Sequence, residues 1–338
     1  MRTFKFWAVI RSICIVFFAI LSVLDISAQE ITMEEFIGIN IRRDMPVDKM
    51  QAVGFVREYH RAALDQGFPA LNETQETASP VYPLTQYKFN PSYQTQAAIP
   101  FDAYYDEITG SGLEIGVSLF QSFPWMWDSE TTPLTPQLPE GNNILEQKPM
   151  YPGNDPLDPN SYLAHADWMY HYAARYGNTS FSTTKTNEII VPRLHPDETP
   201  VTGLGRINYF EDWNEPDKWW LPQLPSTYFT PAEYAVMLSA DADGHQQTMG
   251  LVADPDNPGQ MISAVGIKNA DPTAKVVATG LSDFDLEYIE EMVEWFTANR
   301  TANGPNGQYP FDVLSFHHYS NTGPVSYTHL TLPTICSV

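Results

Sequence analysis

A carboxyl group set among aromatic rings is the feature of this sequence best suited to chemistry. The segment Tyr209–Trp220 reads YFEDWNEPDKWW, so Glu215 and the amide of Asn214 stand among five aromatic side chains. Partial burial beside ring faces raises the pKa of a carboxyl group, which then keeps a proton that it can donate. We therefore predict that Glu215 is a general acid and that Asn214 hydrogen-bonds a hydroxyl group near the reacting atom.

Hydrolysis of a glycosidic bond uses groups of this kind. It requires an acid that protonates the leaving oxygen, a second carboxylate on the other side of the anomeric carbon, and aromatic faces that hold the sugar ring. Tryptophans near predicted strand ends could supply such faces: Trp125, Trp127, Trp213, Trp219 and Trp220. Tryptophans at loop ends also fill the top of a barrel, and the sequence leaves both roles open.

The elements around Glu215 alternate between apolar strands and helices. Apolar runs predict six strands, at residues 36–41, 55–59, 113–120, 205–213, 274–281 and 311–319. Helical spacing predicts helices at residues 161–177, 230–242 and 285–300, and proline-rich loops are expected at 79–100 and 124–159. This alternation is typical of a parallel sheet, and no Gly-rich phosphate loop favours a dinucleotide fold. We predict an α/β fold, a (β/α)8 TIM barrel with about six of its eight units present.

Three motifs, in order along the chain, resemble those of clan A glycoside hydrolases, whose retaining members share this barrel. The tetrapeptide WNEP, at residues 213–216, is similar to the acid/base motif at the end of the fourth strand. The run FVREY places Arg57 on the second strand, and SFHHY places His317 and Tyr319 on the sixth. The resemblance covers residues 35–324 and includes NADPTAKVVATG on the approach to the fifth strand.

That resemblance implies a role for each motif residue. Glu215 would act first as the acid and then as the base, and Asn214 would bind the sugar 2-hydroxyl group. Arg57 is similar to the arginine that contacts the nucleophile, while His317 and Tyr319 would shape the reacting subsite. The nucleophile of the clan is a second Glu, about 5 Å from the acid, at the end of a seventh strand. This sequence has no Glu at a matching position, so the parent enzyme is expected to cleave O-glycosidic bonds of a polysaccharide or oligosaccharide and this chain is expected to be inactive.

Purely structural roles for the same residues remain open. Glu215 could be a solvated turn residue, and Arg57 an ordinary buried ion-pair arginine. His317 could be a core histidine on a strand face that it shares with Tyr319. A noncatalytic carbohydrate-binding barrel or a surface protein is the alternative function.

The two ends of the chain differ from the rest. Residues 1–28 combine Arg2 and Lys5 with an apolar run and a small-residue site, which is typical of a secretory signal peptide. Residues 325–334 read VSYTHLTLPT, which resembles the translation of a sequencing-library adapter. Residues 325–338 are therefore expected to be a non-native tail, and residues 29–324 a partial barrel domain. The signal predicts a secreted, periplasmic or cell-surface protein.

Composition narrows the choice of partners. The formal net charge is −23, it comes from few bases, and no run of like charges stands out, so neither nucleic acid nor an anionic membrane is an expected partner. After removal of the signal, no apolar stretch is long enough to span a membrane. Asp241 and Asp243, before Gly244, look like part of a calcium loop whose later ligands are absent, and no metal ion or cofactor is predicted.

Overall fold

A computed structural model of the chain describes ten ranges of residues. They are 37–41, 45–62, 66–67, 88–91, 100–123, 147–151, 153–196, 198–218, 228–317 and 336–337. The predicted signal peptide and most of the predicted tail lie outside the described residues. The same is true of five predicted substrate-binding residues: Tyr319, Trp125, Trp127, Trp219 and Trp220.

One mainly parallel sheet organises the described part of the chain. Its six parallel strands are neighbours in chain order: β1 Gly38–Ile41, β2 Phe55–Arg61, β3 Glu114–Phe120, β4 Tyr209–Asn214, β5 Lys275–Leu281 and β6 Val313–Phe316. A seventh strand, Cys336–Ser337, pairs antiparallel with β6. Among the described strands β1 and Cys336–Ser337 are the two edges, so the sheet is not closed. It nevertheless curves until β1, β2 and β6 line one pocket.

Helices follow or precede these strands. They are α1 Val47–Met50, α2 Phe101–Gly110, α3 Leu163–Tyr176, α4 Thr183–Lys185, α5 Pro231–Gln247, α6 Ile267–Ala270 and α7 Leu286–Asn299. Shorter elements are the 3-10 turns Pro159–Tyr162 and Val191–Arg193, the π turn Thr186–Ile190, and the paired strands Gln66–Gly67 with Lys88–Phe89 and Leu251–Ala253 with Met261–Ser263. Within these described elements, no helix has the length and apolar character needed to cross a membrane.

The prediction of an α/β fold with a parallel sheet is confirmed, with differences at some element ends. The fourth strand begins at Tyr209 instead of residue 205, and the sixth at Val313 instead of residue 311. Helix α2 was not expected from the sequence. Its buried side chains repeat at the spacing of an amphipathic helix: Phe101, Tyr104, Tyr105 and Ile108.

Helix α5 begins as its sequence predicts. The Thr230 hydroxyl accepts a hydrogen bond from the backbone N–H of Glu233, and the Glu233 carboxylate accepts one from the backbone N–H of Thr230. This capping box, with Pro231 in the first turn, satisfies donors that a helix start leaves free. The backbone leaves the helical region from Asp243 to Gln246, so the regular helix ends just before Asp243.

The main core lies between the sheet and helices α3 and α5. Almost every residue of α3 is buried, including Trp168 and Tyr172. Trp168 packs edge-on to Phe123, just after β3, and Tyr172 packs edge-on to Phe210 of β4. This packing fixes α3 behind the carboxyl half of β4, where the WNEP motif begins.

Candidate active site

The strand register brings predicted site residues together at the carboxyl ends of the parallel strands. Asn214, the last residue of β4, lies beside Gly280 of β5, and His317 directly follows β6. Because all of these strands run parallel, their carboxyl ends share the edge where β/α barrels carry their active sites. Arg57 reaches toward this edge from β2.

Glu215 is held against the sheet by two contacts. Its carboxylate Oε1 lies 2.7 Å from Nδ1 of His317, and its backbone N–H donates to the carbonyl of Gly280 at 3.0 Å. The side chains of Glu215 and His317 are only 14% and 7% exposed. Glu215 is therefore not a solvated turn residue, and its carboxyl group faces a histidine that can donate to it or accept from it.

The backbone around Asn214 is unusual. Trp213 and Glu215 have positive φ angles of 76° and 51°, a left-handed conformation that non-glycine residues rarely adopt. Such a conformation interrupts the alternation of side chains along the strand. It lets Asn214 contact Arg57 on the inner face while Trp213 packs on the opposite side.

Trp213 is consequently a core residue, which fits the second of the two roles that the sequence leaves open for it, filling the barrel, and not stacking on a sugar ring. The indole is 1% exposed. It packs edge-on against Phe229 and His165, with ring centroids 5.3 and 5.9 Å away. Its carbonyl oxygen accepts a hydrogen bond from the Ser118 hydroxyl at 3.1 Å.

Arg57 is the centre of a buried hydrogen-bond network on the inner face of the sheet. Its Nε and one terminal nitrogen donate to the two carboxylate oxygens of Glu211, at 2.5 and 2.7 Å. The same terminal nitrogen donates to Oδ1 of Asn214 at 3.1 Å. This paired, two-point geometry is the strong form of an arginine–carboxylate interaction. Arg57 thereby orients the amide of Asn214.

Further contacts complete the surroundings of Arg57. Its terminal nitrogens also donate to the Ser118 hydroxyl at 3.2 Å and to Oδ1 of Asn40 at 3.3 Å. The guanidinium group lies 4.3 Å from the centre of the Tyr59 ring. Burial acts against its charge, but Glu211 and Tyr59 together outweigh burial and raise the pKa of Arg57 above its ordinary value. The guanidinium group is therefore permanently charged.

Gly280 allows three site residues to approach one another. Its backbone N–H donates to the Glu211 carboxylate at 3.0 Å, and its carbonyl accepts from Glu215. A Cβ atom at this position would overlap the imidazole of His317 and lie 3.1 Å from Glu211 Oε1. Only a residue without a side chain leaves His317 room to reach Glu215.

The loop after Glu215 is fixed by Asp217. Its carboxylate accepts hydrogen bonds from the backbone N–H and the hydroxyl group of Ser282, both at 2.9 Å. Burial raises the pKa of Asp217, and the Ser282 hydrogen bonds act against that rise. Asp217 thus ties the loop that carries Glu215 to the end of β5.

Four predicted site residues therefore come together: Glu215, Asn214, Arg57 and His317. The sequence reasoning missed Glu211, Gly280 and Ser118, which hold them in place. Two acidic residues inside an apolar strand, in YFEDW, were a signal for the first of these, since a buried carboxylate needs a partner of opposite charge. The residue types of Gly280 and Ser118 give no indication of their roles.

Comparisons with known proteins give limited likeness. No protein-family model and no curated protein matches the chain. A glucosidase from Croceicoccus marinus aligns at 12% identity and a TM-score of 0.40, over 85% of this chain and 44% of its own. A family 51 α-L-arabinofuranosidase from Bifidobacterium longum aligns at 15% identity and a TM-score of 0.32, over 80% of this chain and 37% of its own. The chain spans less than half the length of either protein.

Proposed function

We propose that the parent protein is a retaining glycoside hydrolase of the clan A type, built on a (β/α)8 barrel of which this chain contains about six units. It cleaves O-glycosidic bonds of a polysaccharide or oligosaccharide, with Glu215 as the general acid and then the base. The observation that carries the proposal is the position of Glu215. Its carboxyl group lies at the carboxyl end of β4, 2.7 Å from His317, within a motif that resembles the acid/base motif of the clan.

The amide of Asn214 is oriented for a hydroxyl group. Its Oδ1 atom accepts a hydrogen bond from Arg57, so the amide is turned with its acceptor toward the guanidinium group. The two N–H groups of the amide are the remaining donors of this side chain. We assign them to a sugar hydroxyl group next to the bond that Glu215 protonates.

The proposed reaction requires a second carboxylate about 5 Å from Glu215, on the other side of the anomeric carbon. Glu211 is poorly suited to that role, because Arg57 holds both of its oxygens and Gly280 donates to one of them. The resemblance places the nucleophile on a seventh strand. We therefore propose that the 338-residue chain lacks the nucleophile and does not turn over substrate.

Leaving-group dependence tests the acid role of Glu215, in a version of the protein extended through the missing strands. Glu215→Ala should lower kcat/KM by about 10² to 10⁴ for aryl glycosides with poor leaving groups, and far less for those with good leaving groups, which need no proton. Glu287→Gln, at an exposed position of α7, is the matched control and should change neither.

Two outcomes would contradict the proposal. A uniform loss across the leaving-group series would remove Glu215 from the acid role. Oligosaccharide binding by the extended protein with no turnover would instead favour a noncatalytic carbohydrate-binding barrel. Turnover by the 338-residue chain that disappears in Glu215→Gln would contradict only the assignment of the missing nucleophile.

Export belongs to the same proposal. We propose that residues 1–28 are removed as the protein is secreted or delivered to the periplasm or cell surface. N-terminal sequencing of protein recovered from culture medium or periplasm checks this. A mature protein that still begins at Met1 would contradict it.

A further inference from the structure

Three ionisable side chains meet behind the strand that carries the proposed acid. Asp212 of β4, His165 of α3 and Asp241 of α5 are all 0% exposed. One ligand atom from each lies within 4.8 Å of the other two. The three belong to three different elements, so this cluster exists only in the folded chain.

Most of the polar atoms in the cluster have no hydrogen-bond partner in the described structure. Nδ1 of His165 lies 2.7 Å from Oδ2 of Asp241. Neither carboxylate oxygen of Asp212 has a partner, nor do Oδ1 of Asp241 and Nε2 of His165. Buried polar atoms are almost always satisfied in folded proteins, and an unpaired buried carboxylate is strongly unfavourable. The unpaired atoms of this cluster therefore require a bound species, either a proton or a metal ion, that contacts them.

A shared proton accounts for only part of this arrangement. Burial and the neighbouring Asp241 raise the pKa of Asp212 well above its ordinary value, so a carboxyl–carboxylate pair could hold one proton. One proton joins two oxygens and leaves the other Asp212 oxygen and Nε2 of His165 without partners. An imidazole coordinates a metal ion through a ring nitrogen that carries no proton, and Nε2 of His165 is buried without a hydrogen-bond partner in the described structure.

We propose that His165, Asp212 and Asp241 bind a divalent transition-metal ion, with Zn²⁺ as the preferred occupant. One imidazole nitrogen and two carboxylates suit Zn²⁺, whereas Ca²⁺ and Mg²⁺ prefer sites built from oxygen alone. A tetrahedral Zn²⁺ ion with bonds of about 2.0 to 2.2 Å holds its ligand atoms about 3.3 to 3.6 Å apart, so the three side chains would close around it from their present spacing of up to 4.8 Å. The two positive charges of the ion balance the two carboxylates.

The position of the cluster indicates a structural role for the metal ion. All three side chains are buried between the sheet and the helices, on the face of β4 opposite Arg57 and Glu211. Asp212 is three residues before Glu215 on the same strand. The metal ion would lock β4 to α3 and α5 and so hold the motif that follows. This inference does not depend on the proposed hydrolase activity.

Metal analysis of the 338-residue chain tests the proposal without any substitution. Protein purified without chelator should contain stoichiometric zinc by plasma mass spectrometry. Removal of the metal with EDTA should lower Tm, and Zn²⁺ at about 100 times its Kd should raise Tm again by about 3 °C or more. Replacement with Co²⁺ should give the intense visible absorption of a low-symmetry cobalt site. A chain free of metal whose Tm responds to neither chelator nor added Zn²⁺ would overturn the proposal and favour a shared proton.

A pair of histidine variants locates the site. His165→Gln should abolish zinc retention and the Tm response to added Zn²⁺. His171→Gln is the matched control, because His171 lies on the same helix, is also buried, and contacts the backbone carbonyl of Asp167. This control should retain both properties. Equal zinc content in the two variants would show that the metal binds elsewhere and would overturn the assignment, and the measurements on the unmodified chain stand even if a variant fails to fold.

Discussion

Glu211 and Asp212 are neighbours in one strand, yet they have opposite surroundings. Alternation along β4 directs one carboxylate to the inner face of the curved sheet and the other to the helix side. On the inner face, Arg57 and Gly280 satisfy both oxygens of Glu211. On the helix side, neither oxygen of the Asp212 carboxylate has a hydrogen-bond partner in the described structure.

The difference shows that burial alone does not determine what a carboxylate does. Glu211 is neutralised from within the chain, and its ion pair orients Asn214 at the proposed active site. Asp212 has only His165 and a second carboxylate nearby, so its negative charge has to be neutralised by a proton or, as we propose, by a metal ion. One strand therefore carries a buried ion pair that is complete within the chain and, beside it, a site that requires a bound proton or metal ion. Four predictions sharpen this contrast.

Removal of Arg57 should have the largest effect. Arg57→Leu leaves the Glu211 carboxylate buried without its counter-charge, which should lower the free energy of unfolding by about 3 to 5 kcal/mol in urea denaturation. The double variant Arg57→Leu with Glu211→Leu removes both charges and should regain most of that loss. Equal destabilisation of the single and double variants would show that the unpaired charge of Glu211 does not cause the loss of stability.

Amide substitutions should separate the two carboxylates directly. In metal-free protein, Glu211→Gln should lower the free energy of unfolding by about 1.5 to 3 kcal/mol, because the charged guanidinium group loses its partner. Asp212→Asn should lower it much less, because burial and the neighbouring Asp241 raise the pKa of Asp212 and already disfavour its charged form. With zinc at 100 times its Kd, unmodified protein gains about 2.7 kcal/mol that Asp212→Asn cannot gain.

Thermal unfolding with and without EDTA measures both effects. A Glu211→Gln variant whose stability depended on zinc, or an Asp212→Asn variant that responded to zinc like the unmodified protein, would break the proposed division between the two faces.

Gly280 tests how closely the inner pair and the proposed acid are packed. In Gly280→Ala, the added methyl group meets His317 and Glu211, and overpacking of this kind should lower stability by about 1 to 3 kcal/mol. The imidazole NMR signals of His317 should shift as it moves away from Glu215. Gly110→Ala is the control, because a Cβ atom there meets nothing within 4 Å. Unchanged His317 signals in Gly280→Ala would contradict the tight contact.

Ser118→Ala should have the smallest effect. The hydroxyl group accepts from Arg57 and donates to the Trp213 carbonyl, but Arg57 keeps its two bonds to Glu211. We expect a loss of about 1 kcal/mol in urea denaturation. A loss as large as that of Arg57→Leu would mean that the inner network depends on Ser118 more than on the ion pair.

Much of the fold could be predicted from the sequence because its signals are local. Apolar runs identified the parallel strands, and Thr230 with Pro231 marked the start of α5. Helix α2 was not predicted although its apolar spacing is a local signal, because it directly follows a proline-rich segment of the kind that forms loops. The curvature that brings β1 near β6 depends on contacts between distant segments, and no local pattern encodes it.

The site was predictable to the extent that residue type reports function. Glu215, Asn214, Arg57 and His317 could be named because each carries a chemically distinctive group within a motif. The sequence could not decide between the two roles of Trp213, because its left-handed backbone reverses the face that strand alternation predicts. The contrast between Glu211 and Asp212 was also hidden, since it depends on Arg57, His165 and Asp241 from other elements.

The positive φ angle at Glu215 bears on how this chain would change under mutation and selection. Glycine and asparagine occupy that backbone region at lower energy than glutamate, so a library sorted for folding alone should enrich them at position 215. A library of the version extended through the missing strands, sorted for turnover, should return glutamate. Different residues at position 215 in the two screens would show that glutamate is kept there for catalysis at a cost in stability. Stabilised variants of enzymes commonly show this trade-off.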